Sequence, residues 1–242
     1  MAFQFLFSRP ERDFNRQEIV AMDDEDTAFE DANTQTTTPL SAIAEAFEEL
    51  SQSVNVYNNK NNMRTDGLRL KPFCDACSLV SVLFGCLGIA FKFAEYEYCS
   101  KVRDLAEASM IYGTLNNILD IDVKNDTVKT RGSLSRNLRR VRQGLDLIRA
   151  LFKNFLCSDH CSLKEAASTA YAEVCAPYHT WAVRTAVSTG MYALPTREQL
   201  LLKLNETDES AEKEMRRYIE ASLPIIEYID KLYVIRNISL DW

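Results

Sequence analysis

Glycine and proline are scarce in this chain, at 7 and 6 of 242 residues. So few turn formers exclude collagen-like and low-complexity chains and point away from a strand-rich fold. Histidine is scarcer still, with only His160 and His179. There is no H-E-x-x-H, no Gly-rich phosphate loop and no nucleophile elbow, and His179 has no motif partner that would make it a general base, so no enzyme activity is expected. A membrane span is also missing. The most hydrophobic segment, between Asp75 and Lys92, has sixteen uncharged residues, several of them Cys, Ser or Gly, whereas a span needs about twenty apolar ones. The N-terminal "AFQFLF" is too short for a signal-peptide core and "RPERDFNR" follows it with mixed charge, so a cytoplasmic protein is expected. Seven cysteines, an odd number without a secretory signal, fit reduced thiols. Cys74 and Cys77 form a C-x-x-C to which Cys157, His160 and Cys161 could be added as zinc ligands. The first pair lies in an apolar helical run, where Cys is a small buried hydrophobe, and neither metal nor cofactor is expected.

What is present is helical periodicity around a nearly neutral body. Residues 1–38 hold three Arg against nine Asp and Glu, net −6, which leaves 25 Lys and Arg against 26 Asp and Glu, net −1, for residues 39–242. The first stretch, rich in acids and threonine and poor in aliphatics, cannot bury enough surface to fold and reads as a disordered acidic arm. Thr38 and Pro39 then read as cap and first position of a helix that opens a domain over 39–242. A long helix is expected to start near Lys71 and Pro72 and continue through "EYEYCSKVRDLAEAS", with Glu97 and Lys101 four apart on one face. Further helices are expected at about 132–156, 163–176, 180–190, 196–204 and 208–233. The domain is therefore all-α.

The stretch "RGSLSRNLRRVRQGLDLIRALF", residues 131–152, sets five arginines in its first twelve positions without a carboxylate. At 100° per residue, Leu134, Leu138, Val141, Leu145, Ile148, Phe152 and Phe155 form one apolar stripe. Arg139, Arg142, Asp146 and Lys153 fall on a polar face that reads as solvated. Arg136 and Arg140 fall elsewhere, in line with Leu147 and Leu151, so that two guanidinium forks head a second apolar strip. That arrangement suits an anion with an apolar tail, or else it is ion-paired surface. A nucleic-acid site is disfavoured, because the domain is neutral and lacks a wide basic stripe with interleaved aromatics.

Together, "PFCDACSLVSVLFGCLGIAFKFAEYEYCSKVRDL", "SRNLRRVRQGLDLIRALF" and "APYHTWAVR" resemble the glycolipid transfer protein superfamily over about residues 39–242. Within it they resemble the plant accelerated-cell-death and ceramide-1-phosphate transfer proteins. The resemblance implies a two-layer helical sandwich of about eight helices that parts to admit a sphingolipid's chains beneath a headgroup recess. It implies non-vesicular transfer of ceramide-1-phosphate or phytoceramide-1-phosphate between membranes, by a protein that meets membranes peripherally and transiently. A sphingolipid sensor acting on a partner is the alternative. It assigns Lys101, Arg136 and Arg140 to the phosphate, His179 to the lipid amide carbonyl and Trp181 to the membrane interface. Glu97 stands where the family carries an aspartate that accepts from the amide N–H, which moves the acceptor oxygens by one methylene. The acidic stretch around Phe29, Asp31 and Ala32 resembles the motif that tethers lipid-transfer proteins to VAP proteins of the endoplasmic reticulum.

Overall fold

The computed structural model describes residues 37–59, 67–157 and 162–242. The arm with Phe29, Asp31 and Ala32, and the ligand candidates His160 and Cys161, lie outside the described residues. Among the described residues the protein is all-α, with nine helices: α1 (Pro39–Asn59), α2 (Leu70–Cys86), α3 (Lys92–Ala108), α4 (Leu115–Lys124), α5 (Leu134–Phe155), α6 (Leu163–Val174), α7 (Trp181–Gly190), α8 (Arg197–Leu204) and α9 (Asp208–Val234). Most starts are written locally. Thr38 accepts from Ser41 N at 3.2 Å, Ser133 accepts from Arg136 N at 3.2 Å, and Ser162, Thr196 and Thr207 each close a reciprocal box with the residue three positions on. Each cap meets backbone donors that a helix start leaves unpaired.

α1 packs on α2 and α9, α9 on α5, α5 on α3 and α3 on α2, which closes a ring of helices. Inside it Phe47, Phe73, Leu105, Phe155, Tyr218 and Tyr233 are buried. Cys74 and Cys77 sit in this core, where burial raises the Cys74 thiol to about 12 and that of Cys77 well above its ordinary value. Such thiols behave as small apolar groups, whereas zinc binds thiolates. Cys157 is exposed.

Three expectations are corrected. The long helix from Lys71 is two helices, because Gly88 has a φ of +94°. That left-handed region is open to glycine and ends the run. A short helical turn, Ile89–Phe91, follows and hands over to α3. α4 is an additional helix between the expected ones, started by a Thr114–Asn117 capping box. On the polar face of α5, Lys153 is exposed as expected, but Arg139, Arg142 and Asp146 are not solvated, because α9 covers them. Arg139 is only 3% exposed and bonds both Asp230, at 3.3 Å, and the Leu240 carbonyl, at 2.6 Å. Arg142 bonds Asp230 and Asp146, and Asp146 also holds Arg149.

Candidate functional site

α3 and α5 carry most of the candidate residues, and two contacts fix their register. Asn137 Nδ2 donates to Asp104 at 2.8 Å. A Cβ built on Gly144 would come within 2.8 Å of the Tyr98 ring, so the helices nearly touch there. Residue numbers rise along one helix as they fall along the other. The two helices are therefore antiparallel, with Lys101 level with Arg140 and Glu97 level with Gly144. Tyr98 is itself fixed, since its hydroxyl donates to the Cys77 carbonyl at 3.0 Å. Lys101 and Glu97 form the expected pair, with Nζ and Oε2 3.3 Å apart and side chains 25% and 49% exposed.

The five α5 arginines divide sharply by partner. Arg139, Arg142 and Arg149 each meet a carboxylate. Arg136 and Arg140 meet none among the described residues: Arg136 donates to the Lys129 carbonyl and Arg140 to the Gln143 side-chain oxygen, both at 2.6 Å. Burial, and then the positive charges of Arg136 and Arg139, push the Arg140 guanidinium below its ordinary range. A half-buried cation among like charges, held only by a neutral amide, favours an incoming anion.

His179 closes the group from the other side. It follows the short turn Ala176–Tyr178 and precedes α7. Burial, and after it Arg140, lower its pKa, so its ring is neutral at pH 7 and the two residues are electrostatic neighbours. Nδ1 lies 2.9 Å from the Tyr171 hydroxyl. Burial raises the pKa of that phenol, which therefore keeps its proton. Where the Tyr171 hydroxyl donates to Nδ1, the ring proton sits on Nε2, available to a carbonyl oxygen; the opposite tautomer would leave Nε2 an acceptor. Arg139 reaches this turn as well, stacking 5.8 Å from the Tyr178 ring centre. Trp181, two residues on, opens α7 with its ring 74% exposed.

The structure thus makes Arg136, Arg140 and His179 electrostatic neighbours and, by helix register, sets the paired Glu97 and Lys101 of α3 at the level of Gly144 and Arg140, with Trp181 two residues beyond the histidine. Sequence reasoning missed Gln143 and Tyr171. The first was detectable, since on a helical wheel it falls within about 20° of Arg136, beside the strip that runs to Leu147. The second sits eight residues before His179 in another helix and gave no signal. Two surface clefts, of about 630 Å³ near Lys129 and Arg236 and about 370 Å³ between α1 and α2, lie outside this group. Among the described residues no helix is long and apolar enough to cross a membrane.

The chain is similar to several known proteins. The glycolipid transfer protein (GLTP) family profile matches residues 68–206. An "ACD11 homolog protein" of Arabidopsis thaliana is 65% identical over 224 residues, covering 91% of this chain and 97% of that protein. "Accelerated cell death 11" of the same plant is 45% identical over 212 residues, covering 87% and 100%. Among solved structures, a point mutant of Arabidopsis ACD11 complexed with C12 ceramide-1-phosphate superposes with a TM-score of 0.80 at 44% identity, over 86% of this chain and all of that one. Human ceramide-1-phosphate transfer protein with 12:0 ceramide-1-phosphate, at 19% identity and a TM-score of 0.69 over 83% of this chain and 97% of that one, shares the fold. With a capped α5 carrying two arginines free of carboxylates, a histidine turn opposite them, and these likenesses along nearly its whole folded length, the chain belongs to the glycolipid transfer protein family.

Proposed function

We propose that this protein moves a phosphorylated sphingolipid, ceramide-1-phosphate or a hydroxylated relative, between membranes without chemical change. One observation carries the reading: Arg136 and Arg140 are the α5 arginines that meet no carboxylate among the described residues. A phosphomonoester with up to two negative charges matches two forks and an ammonium, whereas a sugar wants stacking and neutral donors. Lys101, Arg136 and Arg140 bind the phosphate, and Nε2 of His179 donates to the lipid amide carbonyl. The complex of Arabidopsis ACD11 with ceramide-1-phosphate, at 44% identity, supports this choice of lipid.

Two chains of about thirty methylenes amount to roughly 25 kcal/mol of hydrophobic free energy, so such a lipid scarcely leaves a bilayer unaided. The core within the helix ring is filled by its own side chains, and the lipid chains enter as the helices part. Exchange between two apolar surroundings requires neither ATP nor a covalent step. His179 lies against a phenol and an arginine, a setting for orientation and not for proton abstraction. Trp181 docks at the headgroup level of a bilayer. Exposed Ile89 and Tyr192, on two turns that pack together, extend the apolar contact. The acidic stretch with Phe29, Asp31 and Ala32 adds a VAP-type tether, and pull-down with a VAP domain tests it.

Native mass spectrometry of the lipid retained by the purified protein is the direct test: a phosphorylated ceramide is expected, and exclusive retention of a neutral glycolipid would reject the reading. His179→Gln, which keeps a donor of similar reach, should retain more vesicle-to-vesicle transfer than His179→Leu. Equal transfer by both, with lowered melting temperatures, would make the histidine purely structural. At Glu97 the acceptor role is expected to persist, because Lys101 one turn on pairs with the carboxylate and orients it. Glu97→Asp should preserve or improve ceramide-1-phosphate transfer and Glu97→Ala should reduce it. A diacylglycerol phosphate, with no amide N–H, should respond to neither.

A further inference from the structure

The strip that begins with Arg136 and Arg140 and ends in Leu147 and Leu151 contains one more polar residue. Gln143 lies on α5 between the arginine pair and the leucines and is 6% exposed. Its Oε1 accepts from Nη1 of Arg140 at 2.6 Å. A guanidinium only donates, so this bond fixes which end of the amide faces it: the oxygen must, and the nitrogen must point away. That nitrogen, Nε2, is buried and has no hydrogen-bond partner among the described residues. A buried donor without an acceptor is costly and rare, and where one persists it calls for a functional explanation.

Its place in the strip supplies one. Gln143 sits where the charged part of α5 gives way to the apolar part, at the level at which Gly144 touches Tyr98 and Glu97 stands across on α3. A phosphorylated lipid aligned with this strip has its phosphate at the arginines and its chains at the leucines. The oxygens that join the two lie at Gln143. We propose that Gln143 is a lipid-contacting residue: its oxygen aims Arg140 at the phosphate, and its amide nitrogen donates to an oxygen at the head of the sphingoid base. The inference rests on the headgroup reading above and adds to it a neutral donor that recognises the junction of phosphate and chain.

The test uses the full chain, with ceramide-1-phosphate in phosphatidylcholine vesicles as the probe. Gln143→Met keeps the length of the side chain and removes both polar atoms. Removal of a donor that is unsatisfied in the empty protein offsets the loss of the bond to Arg140, so the melting temperature without lipid should stay within about 3 °C of the parent. The affinity for ceramide-1-phosphate should fall about tenfold, the usual effect of losing a hydrogen bond to a polar or charged oxygen. Gln143→Glu keeps an acceptor for Arg140 and replaces the donor by a second acceptor. It should melt at or above the parent and transfer less than Gln143→Met. Parent-like affinity in Gln143→Met, parent-like transfer in Gln143→Glu, or a lowered melting temperature with affinity intact would each overturn the role of Gln143. Arg136→Ala separates the two levels: if it abolishes transfer while Gln143→Met keeps parent-like affinity and transfer, the headgroup site stands and Gln143 is a buried filler, whereas parent-like transfer by Arg136→Ala rejects the site itself.

Discussion

Arg140→Ala is expected to lower ceramide-1-phosphate transfer at least about tenfold, since a charge-assisted hydrogen bond is worth about 1.5–3 kcal/mol. The unbound fold should tolerate the change well, because Arg140 is half-buried among positive charges that push its pKa down and it makes its bond to a neutral amide. Relief of that crowding offsets part of the lost bond, so the expected signature is a transfer defect with little loss of stability. A second consequence falls on His179, whose pKa is lowered first by burial and then by Arg140. In Arg140→Ala part of that lowering disappears, and the ring should take up a proton at a higher pH than in the parent, which histidine NMR titration would register. The control is Arg216→Ala, at an exposed i,i+4 pair with Glu212 on α9, a pair worth a few tenths of a kcal/mol. Equal transfer by Arg140→Ala and Arg216→Ala would remove the arginine pair from lipid recognition.

Arg139→Ala should give the opposite pattern. Its guanidinium lies beneath α9, tied to Asp230 and to the Leu240 carbonyl and stacked near Tyr178. Truncation leaves the part-buried Leu240 carbonyl without this donor and Asp230 with one arginine instead of two. Removing one partner from such a network costs about 2–4 kcal/mol, or roughly 5–15 °C in melting temperature for a domain of this size. Arg139→Lys should recover part of this, because an ammonium keeps the charge but cannot span both acceptors as the fork does. A melting temperature within 2–3 °C of the parent for Arg139→Ala would show that the network contributes no net stability. Neighbouring arginines on one helix thus sit in opposite settings, Arg139 tied to a carboxylate beneath α9 and Arg140 bonded to a neutral amide, and the two variants are expected to part accordingly.

That division was only half legible in the sequence. The stripe from Leu134 to Phe155 and the separate sector of Arg136 and Arg140 follow from helical spacing alone, and the structure keeps both. The fate of Arg139 and Arg142 does not, because their partner Asp230 lies 91 and 88 residues further on. A helical wheel reads polar residues as outward-facing, yet a face that meets a complementary carboxylate on another helix can be covered. The Ser133, Thr38 and Thr196 caps were within reach of local rules, and the observed helices begin within two residues of the expected positions in that part of the chain. The break at Gly88 was not, because "FGCLGIAF" continues the apolar run on both sides and only the backbone angle reveals the stop. Tyr171 was invisible for the same reason as Asp230: its bond to His179 is made by the packing of α6 beside the histidine turn.

The close crossing at Gly144 has a mechanical consequence. With no side chain between them, α5 meets the Tyr98 ring of α3 directly, and Tyr98 is in turn anchored to α2 through the Cys77 carbonyl, so this crossing would serve as a pivot if the helices part. Residues level with a pivot keep their spacing when the arms beyond it swing. Lys101 and Arg140 lie within a turn of this point, whereas the helices that enclose the core extend well past it. Under the proposed lipid transfer, the headgroup would then be gripped at a constant gauge while the compartment below widened to whatever chain arrived, which would separate the choice of head from the length of tail.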